Sequence, residues 1–181
     1  MEAGERAADP KGLNDFMEMG FLLRKTGGVF HYDLDTYGRL HWAVLQGRRN
    51  KEYLEKYSAY VAMDGTHLVD KYGHVLVLLT VVDCLGLTQP VGIIVCPSED
   101  SEIMIKGLEF MGVPKGGVLH TDGGPWGPLL AKHFEREHIL CTYHFLSKVT
   151  ELTELWGGNM TELTELMELT VMPNLIIVMW N

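Results

Sequence analysis

Between His74 and Asp83 the chain is almost uniformly apolar: Val75-Leu76-Val77-Leu78-Leu79-Thr80-Val81-Val82. So continuous a run, rich in β-branched residues, predicts a central strand covered on both faces. The neighbouring segments then have to supply the rest of a sheet. Upstream, Tyr60-Val61-Ala62-Met63 leads to Asp64 and Gly65, and Asp70-Lys71-Tyr72-Gly73 reads as a turn. Downstream, after Gly86-Leu87, Pro90 to Cys96 reads as a third strand, one that Pro90 can shorten because it cannot donate to the ladder. Residues 101 to 111 then place apolar groups at 103, 104, 105, 108, 110 and 111, the spacing of a helix packed on a sheet and capped by Asp100 or Ser101. A strand over 117 to 122 follows. Pro125 opens a second helix, with Trp126, Leu129, Leu130 and Phe134 as its inner face, and His138 to Cys141 forms a last short strand. Three strands, then helix, strand, helix, strand, is the order of a mixed α/β sheet that begins with an antiparallel meander.

Ahead of this block, residues 1 to 14 mix charge with Gly and Pro and are expected to be disordered. Phe16 to Leu23 fits one short helix. Val29 to Leu34 and Arg39 to Val44 alternate loosely and predict a hairpin with its turn near Gly38. The basic cluster Arg48-Arg49-Asn50-Lys51 reads first as the solvated start of a helix running through Glu52 to Tyr57; a phosphate contact or a nuclear signal are the other readings.

Two aspartates stand out for chemistry. Asp64 and Asp122 each end an apolar run and are each followed by glycine, in Met63-Asp64-Gly65-Thr66-His67 and Thr121-Asp122-Gly123-Gly124. Both carboxylates are therefore expected where a strand leaves the sheet, and in open α/β sheets ligands bind at the carboxyl ends of strands. Carboxylates brought together repel unless protonated or neutralised by a cation. Hard cations such as Mg²⁺ take such oxygen ligands. The bland alternative is that each aspartate merely ends its strand in a turn.

Charge limits the possible partners. Fifteen basic against twenty-four acidic residues give a net charge of -9, which is no electrostatic footprint for nucleic acid, so any handling of DNA would rest on local basic patches, metal ions or further domains. Three cysteines make no disulfide framework and the mixed-charge start is no signal peptide, which together point to an intracellular, reducing setting. The apolar run Leu175 to Trp180 is far short of the roughly 20 residues a membrane span needs, so no membrane partner is expected.

Asp64-Gly65-Thr66-His67, Lys71-Tyr72-Gly73, Glu99-Asp100-Ser101, Thr121-Asp122 and Cys141-Thr142-Tyr143-His144 resemble, in order and spacing, the transposase domain of Mutator-like elements, and Gly38-Arg39-Leu40-His41-Trp42-Ala43 resembles the segment leading into it. The resemblance covers about residues 29 to 148, between an N-terminal flexible or helical segment, 1–28, and a divergent low-complexity tail, 149–181. It implies a ribonuclease-H-like mixed sheet flanked by helices, incomplete at its C-terminal end. It also implies a DDE-type transposase that cuts and joins DNA, acting on transposon ends in the nucleus with Mg²⁺ or Mn²⁺ held by Asp64, Asp122 and a later Glu. Two such ions can activate the attacking oxygen and stabilise the leaving one.

Other readings stay open. A domesticated fragment could bind DNA or protein without chemistry, and an unrelated metal-dependent nuclease could share the fold. Cys141 and His144 could contribute to a zinc site, although a structural zinc wants four protein ligands; they could equally pack and hydrogen-bond in the core or face DNA. His67 and His120, which flank the acids, are expected to pack or to be solvated. In the tail, leucines every third residue make no clean apolar stripe. None of Glu151, Glu154, Glu162, Glu165 and Glu168 is assigned as the third acid.

Overall fold

The computed structural model describes residues 10–68 and 72–147. Within them, a seven-stranded sheet runs in the spatial order β1-β2-β5-β4-β3-β6-β7. The strands are β1 (Val29–Leu34), β2 (Leu40–Gln46), β3 (Tyr60–His67), β4 (Val75–Val82), β5 (Thr88–Cys96), β6 (Val118–Thr121) and β7 (Glu137–Leu140); the helices are α1 (Pro10–Lys25), α2 (Arg48–Tyr57), α3 (Ser101–Met111) and α4 (Trp126–His133). As expected, β3, β4 and β5 form an antiparallel meander, and β6 and β7 join beyond β3 as parallel strands. The hairpin β1–β2 extends the same sheet by pairing β2 with β5. The result is an α/β, ribonuclease-H-like mixed sheet with flanking helices.

The central strand behaves differently from the sequence expectation. β4 alternates buried and half-buried residues along its whole length. Val75, Val77, Leu79 and Val81 enter a core with Leu54 of α2, Met104, Leu108 and Met111 of α3, and Leu130 of α4, whereas the opposite row, Leu76, Leu78, Thr80 and Val82, is only half-covered. An apolar run reports β-propensity on both faces, but burial depends on which elements lie over each face.

Local chemistry fixes most boundaries. Asp35 starts the β1–β2 turn by accepting hydrogen bonds from the backbone N–H groups of Tyr37 (2.8 Å) and Arg39 (2.9 Å). Asp100 caps α3, accepting from Glu102 N (2.9 Å) and Ile103 N (3.1 Å), a contact commonly worth about 1 kcal/mol. Pro90 sits inside β5, beside the irregularity in β4–β5 pairing between Leu79 and Thr80, which is where a ladder tolerates a missing donor.

Three further details differ from expectation. α1 begins at Pro10, inside the stretch expected to be disordered, because Leu13, Phe16, Met17, Gly20 and Leu23 recur at helical spacing along its inner side. In α4, Leu129 is exposed and Ala131 takes the inner position. β3 does not stop at Asp64 but pairs with β4 as far as His67. The basic cluster opens α2 as expected, with Arg48 3.9 Å from Glu52 and the Arg49 guanidinium over the Tyr53 ring. Residues 149–181, with the glutamates of the repeat, and Asp70-Lys71 of the expected turn lie outside the described residues.

Candidate metal centre at the ends of β3 and β6

Parallel pairing between β3 and β6 matches Tyr60 with Val118, Val61 with Leu119 and Ala62 with His120. The ladder ends at this pair; continued two residues, the same register would set Asp64 beside Asp122. Neighbouring strands lie about 4.8 Å apart and side chains at i and i+2 share a face. Both acids, with Ala62, Leu78, Thr80, Thr88, His120, Cys141 and His144, line one cavity of about 270 Å³ on the half-covered face of the sheet. Asp64 therefore does not end its strand. It stands where β6 leaves β3 while β3 continues against β4.

The two carboxylates are held differently. Asp122 follows β6 directly, and its Oδ1 accepts from Gly124 N at 3.1 Å, a short Asx turn that fixes the side chain. Asp64 is exposed and has no hydrogen-bond or ion-pair partner among the described residues. One preorganised and one free carboxylate, both open to a cavity, can supply two oxygen ligands, and Mg²⁺ commonly binds through one or two carboxylates while keeping several waters. These residues fit one such ion. Among the described residues no group of three His, Cys, Asp or Glu side chains is placed to hold a metal.

Cys141 and His144 form the cavity's other wall. β7 ends at Leu140, Cys141 N donates to Thr121 O at 2.7 Å, and a helical turn over 142–147 opens with Phe145 N donating to Cys141 O at 2.9 Å. This brings His144 over the sheet. His144 Nδ1 and the Tyr60 hydroxyl are both buried without a hydrogen-bond partner among the described residues. Burial, and then the nearby Cys141, push the Tyr60 phenol up.

The flanking histidines part company. His67 is exposed, whereas His120 is buried against Tyr60, its ring centroid 5.9 Å from the phenol, and burial holds its pKa below the usual value. On the sheet's other face, His138 Nε2 shares a hydrogen bond with Thr121 Oγ1 at 2.9 Å, steadying the residue before Asp122, and burial lowers its pKa too. His31, stacked on Phe110 with centroids 3.9 Å apart, is lowered first by burial and then by Arg24. A histidine held neutral in the fold but free to protonate when unfolded adds stability above its unfolded pKa of about 6.5, and that stability is lost as pH falls through the folded pKa. The melting temperature should therefore drop between pH 7.5 and 5.5, with His138→Gln flattening the profile; an unchanged slope in that variant would show that His138 is not one of the groups responsible.

Two side chains near the site carry little sequence signal of where they sit. Glu99 is half-buried beside the end of β3, and its Oε2 accepts from the Trp126 indole N–H at 3.0 Å. A buried tryptophan needs a partner for its N–H, which was the available clue. Arg136, between Glu135 and Glu137, reads as a solvated charge run but is 6% exposed.

Residues 19–110, just over half of the chain, match the family model described as the RNase H-like domain of zinc finger SWIM domain-containing protein 1/3. The chain belongs to this RNase H-like family. The match includes Asp64 and Glu99 and stops before Asp122, Cys141 and His144. No curated protein matches the chain significantly. No helix among the described residues is long and apolar enough to cross a membrane.

Proposed function

We propose that this RNase H-like domain descends from a DDE transposase of the Mutator-like type and retains its divalent-cation site at Asp64 and Asp122 without a complete catalytic centre. One observation carries the reading: the β3–β6 register brings both acids to one cavity at the sheet's C-terminal edge. Mg²⁺ or Mn²⁺ is the ion that hard carboxylate oxygens favour. DNA is the partner and the nucleus the setting that follow from the same descent. When bound, the ion would polarise a phosphoryl oxygen; Asp122, fixed by its turn, and Asp64 would anchor it.

Two-metal strand transfer needs enough carboxylate to hold both ions, and two aspartates supply at most a bridging ligand and one terminal ligand. The net charge of -9 also repels a phosphate backbone. The chain alone is therefore expected not to nick or join DNA, and to bind it weakly. Incubation with supercoiled plasmid in Mn²⁺, alongside the Asp122→Asn form, tests this. Cleavage that disappears in the variant would mean that a carboxylate outside the described residues, Glu151 or Glu154 first, completes the centre. The same shortage of acids favours a second reading, a domesticated module that binds DNA or protein without chemistry. It predicts that Asp64→Asn leaves such binding intact.

A further inference from the structure

The two strands that carry the acids, β3 and β6, are bridged near Asp64 and Asp122 by a side chain that belongs to neither. Glu99 precedes α3 and is half-buried. A Cβ built on Gly65, next to Asp64, would fall on the Glu99 carboxylate, so the acid lies directly against the backbone of β3. Its other oxygen accepts the Trp126 indole N–H at 3.0 Å. That indole lies against Gly124, whose own Cβ would fall on the ring's Nε1, and Gly124 is the residue whose N–H fixes the Asp122 carboxylate. Trp126 is 2% exposed, so the ring has no room to swing away. The chain of contacts runs from Gly65 through Glu99 and Trp126 to Gly124.

From this geometry we infer that Glu99 is a positioning residue that sets the separation of Asp64 and Asp122. The inference rests on the proposal that these two acids hold a divalent ion. A carboxylate that accepts the indole N–H keeps the loop after β6 drawn toward the end of β3. Glycine at 65 and 124 leaves the space for that approach, and any larger residue at either place pushes the two strand ends apart. Glu99 acts on the ion through backbone and indole, with its own oxygens occupied away from the cavity. Its carbonyl-type acceptor therefore matters and its charge does not, and Gln should replace it.

The test compares the full chain with Glu99→Ala, Glu99→Gln and Gly65→Ala, measuring Mn²⁺ affinity by calorimetry and the Trp126 indole N–H resonance by NMR. Expected results are at least ten-fold weaker Mn²⁺ binding for Glu99→Ala and Gly65→Ala, with near-native affinity for Glu99→Gln. The indole resonance should move in Glu99→Ala whether or not metal is present. Equal loss in Glu99→Gln and Glu99→Ala would make Glu99 a ligand by charge and overturn the positioning role, as would unchanged affinity in Glu99→Ala. Should the native chain bind no Mn²⁺, the cation site itself fails, and the positioning contact still stands or falls on the indole shift.

Discussion

Arg136→Met should cost about 4 kcal/mol of folding stability, a large part of the 5–15 kcal/mol typical of a domain. The guanidinium donates to Pro114 O from Nε (3.2 Å) and Nη2 (2.7 Å), and from Nη1 to Ser58 O (2.9 Å) and Val118 O (3.1 Å). Those carbonyls belong to the turn before β3, the loop after α3 and the first residue of β6. One side chain thus ties together the entries of both acid-bearing strands. Burial lowers the arginine's pKa, yet a guanidinium stays protonated in proteins. Hydrogen bonds to a charged group are worth about 1.5–3 kcal/mol each and are not additive. Methionine keeps the stem's volume but removes the charged donor from three part-buried carbonyls, each loss costing up to about 1–3 kcal/mol. The urea midpoint should fall steeply with little change in slope. A midpoint within error of the native chain would show that water takes over these carbonyls and that Arg136 is dispensable.

Phe30→Ala is expected to cost roughly 3–5 kcal/mol, the usual range for deleting a buried phenyl ring. Phe30 is 1% exposed and meets Phe16 and Phe21 of α1 edge-on, with centroids 5.6 and 6.2 Å away. A Cβ on Gly20 would fall on its ring, so helix and strand touch without an intervening side chain. Arg24 adds a 2.6 Å hydrogen bond from Nε to the Phe30 carbonyl. Because α1 packs on β1 and β2 and on no other strand to a comparable extent, the loss should appear first as local unfolding. Backbone amides of α1 should exchange quickly in Phe30→Ala while those of β4 and α3 stay protected. Equal acceleration everywhere would mean that α1 is part of the cooperative core.

The order of elements was readable from the chain because each segment carried its own signal. The β1–β2 turn was marked by Asp35 and Gly38, α3 by Asp100, and the strands by their apolar runs. The placement of the hairpin against β5 was not readable, since strand pairing at long range depends on which edge is left free. Nor was the half-covered face of β4, because Leu and Val signal a strand equally on either face. At the site, Asp64 and Asp122 were visible as acids followed by glycine, but the register that levels them is a property of two segments 58 residues apart. The link between Glu99 and Trp126 was hidden for the same reason: the motif marked Glu99 and helical spacing put Trp126 inside, but only contact through Gly65 and Gly124 joins them to the acids.

Titration of the purified chain with Mn²⁺, followed by the loss of its free-ion EPR signal, bears most directly on the claim that Asp64 and Asp122 share a divalent cation. The native chain should take up one ion, and Asp64→Asn and Asp122→Asn should each abolish uptake while leaving the far-UV circular dichroism unchanged. Uptake that survives in both variants, or none in the native chain, would contradict it.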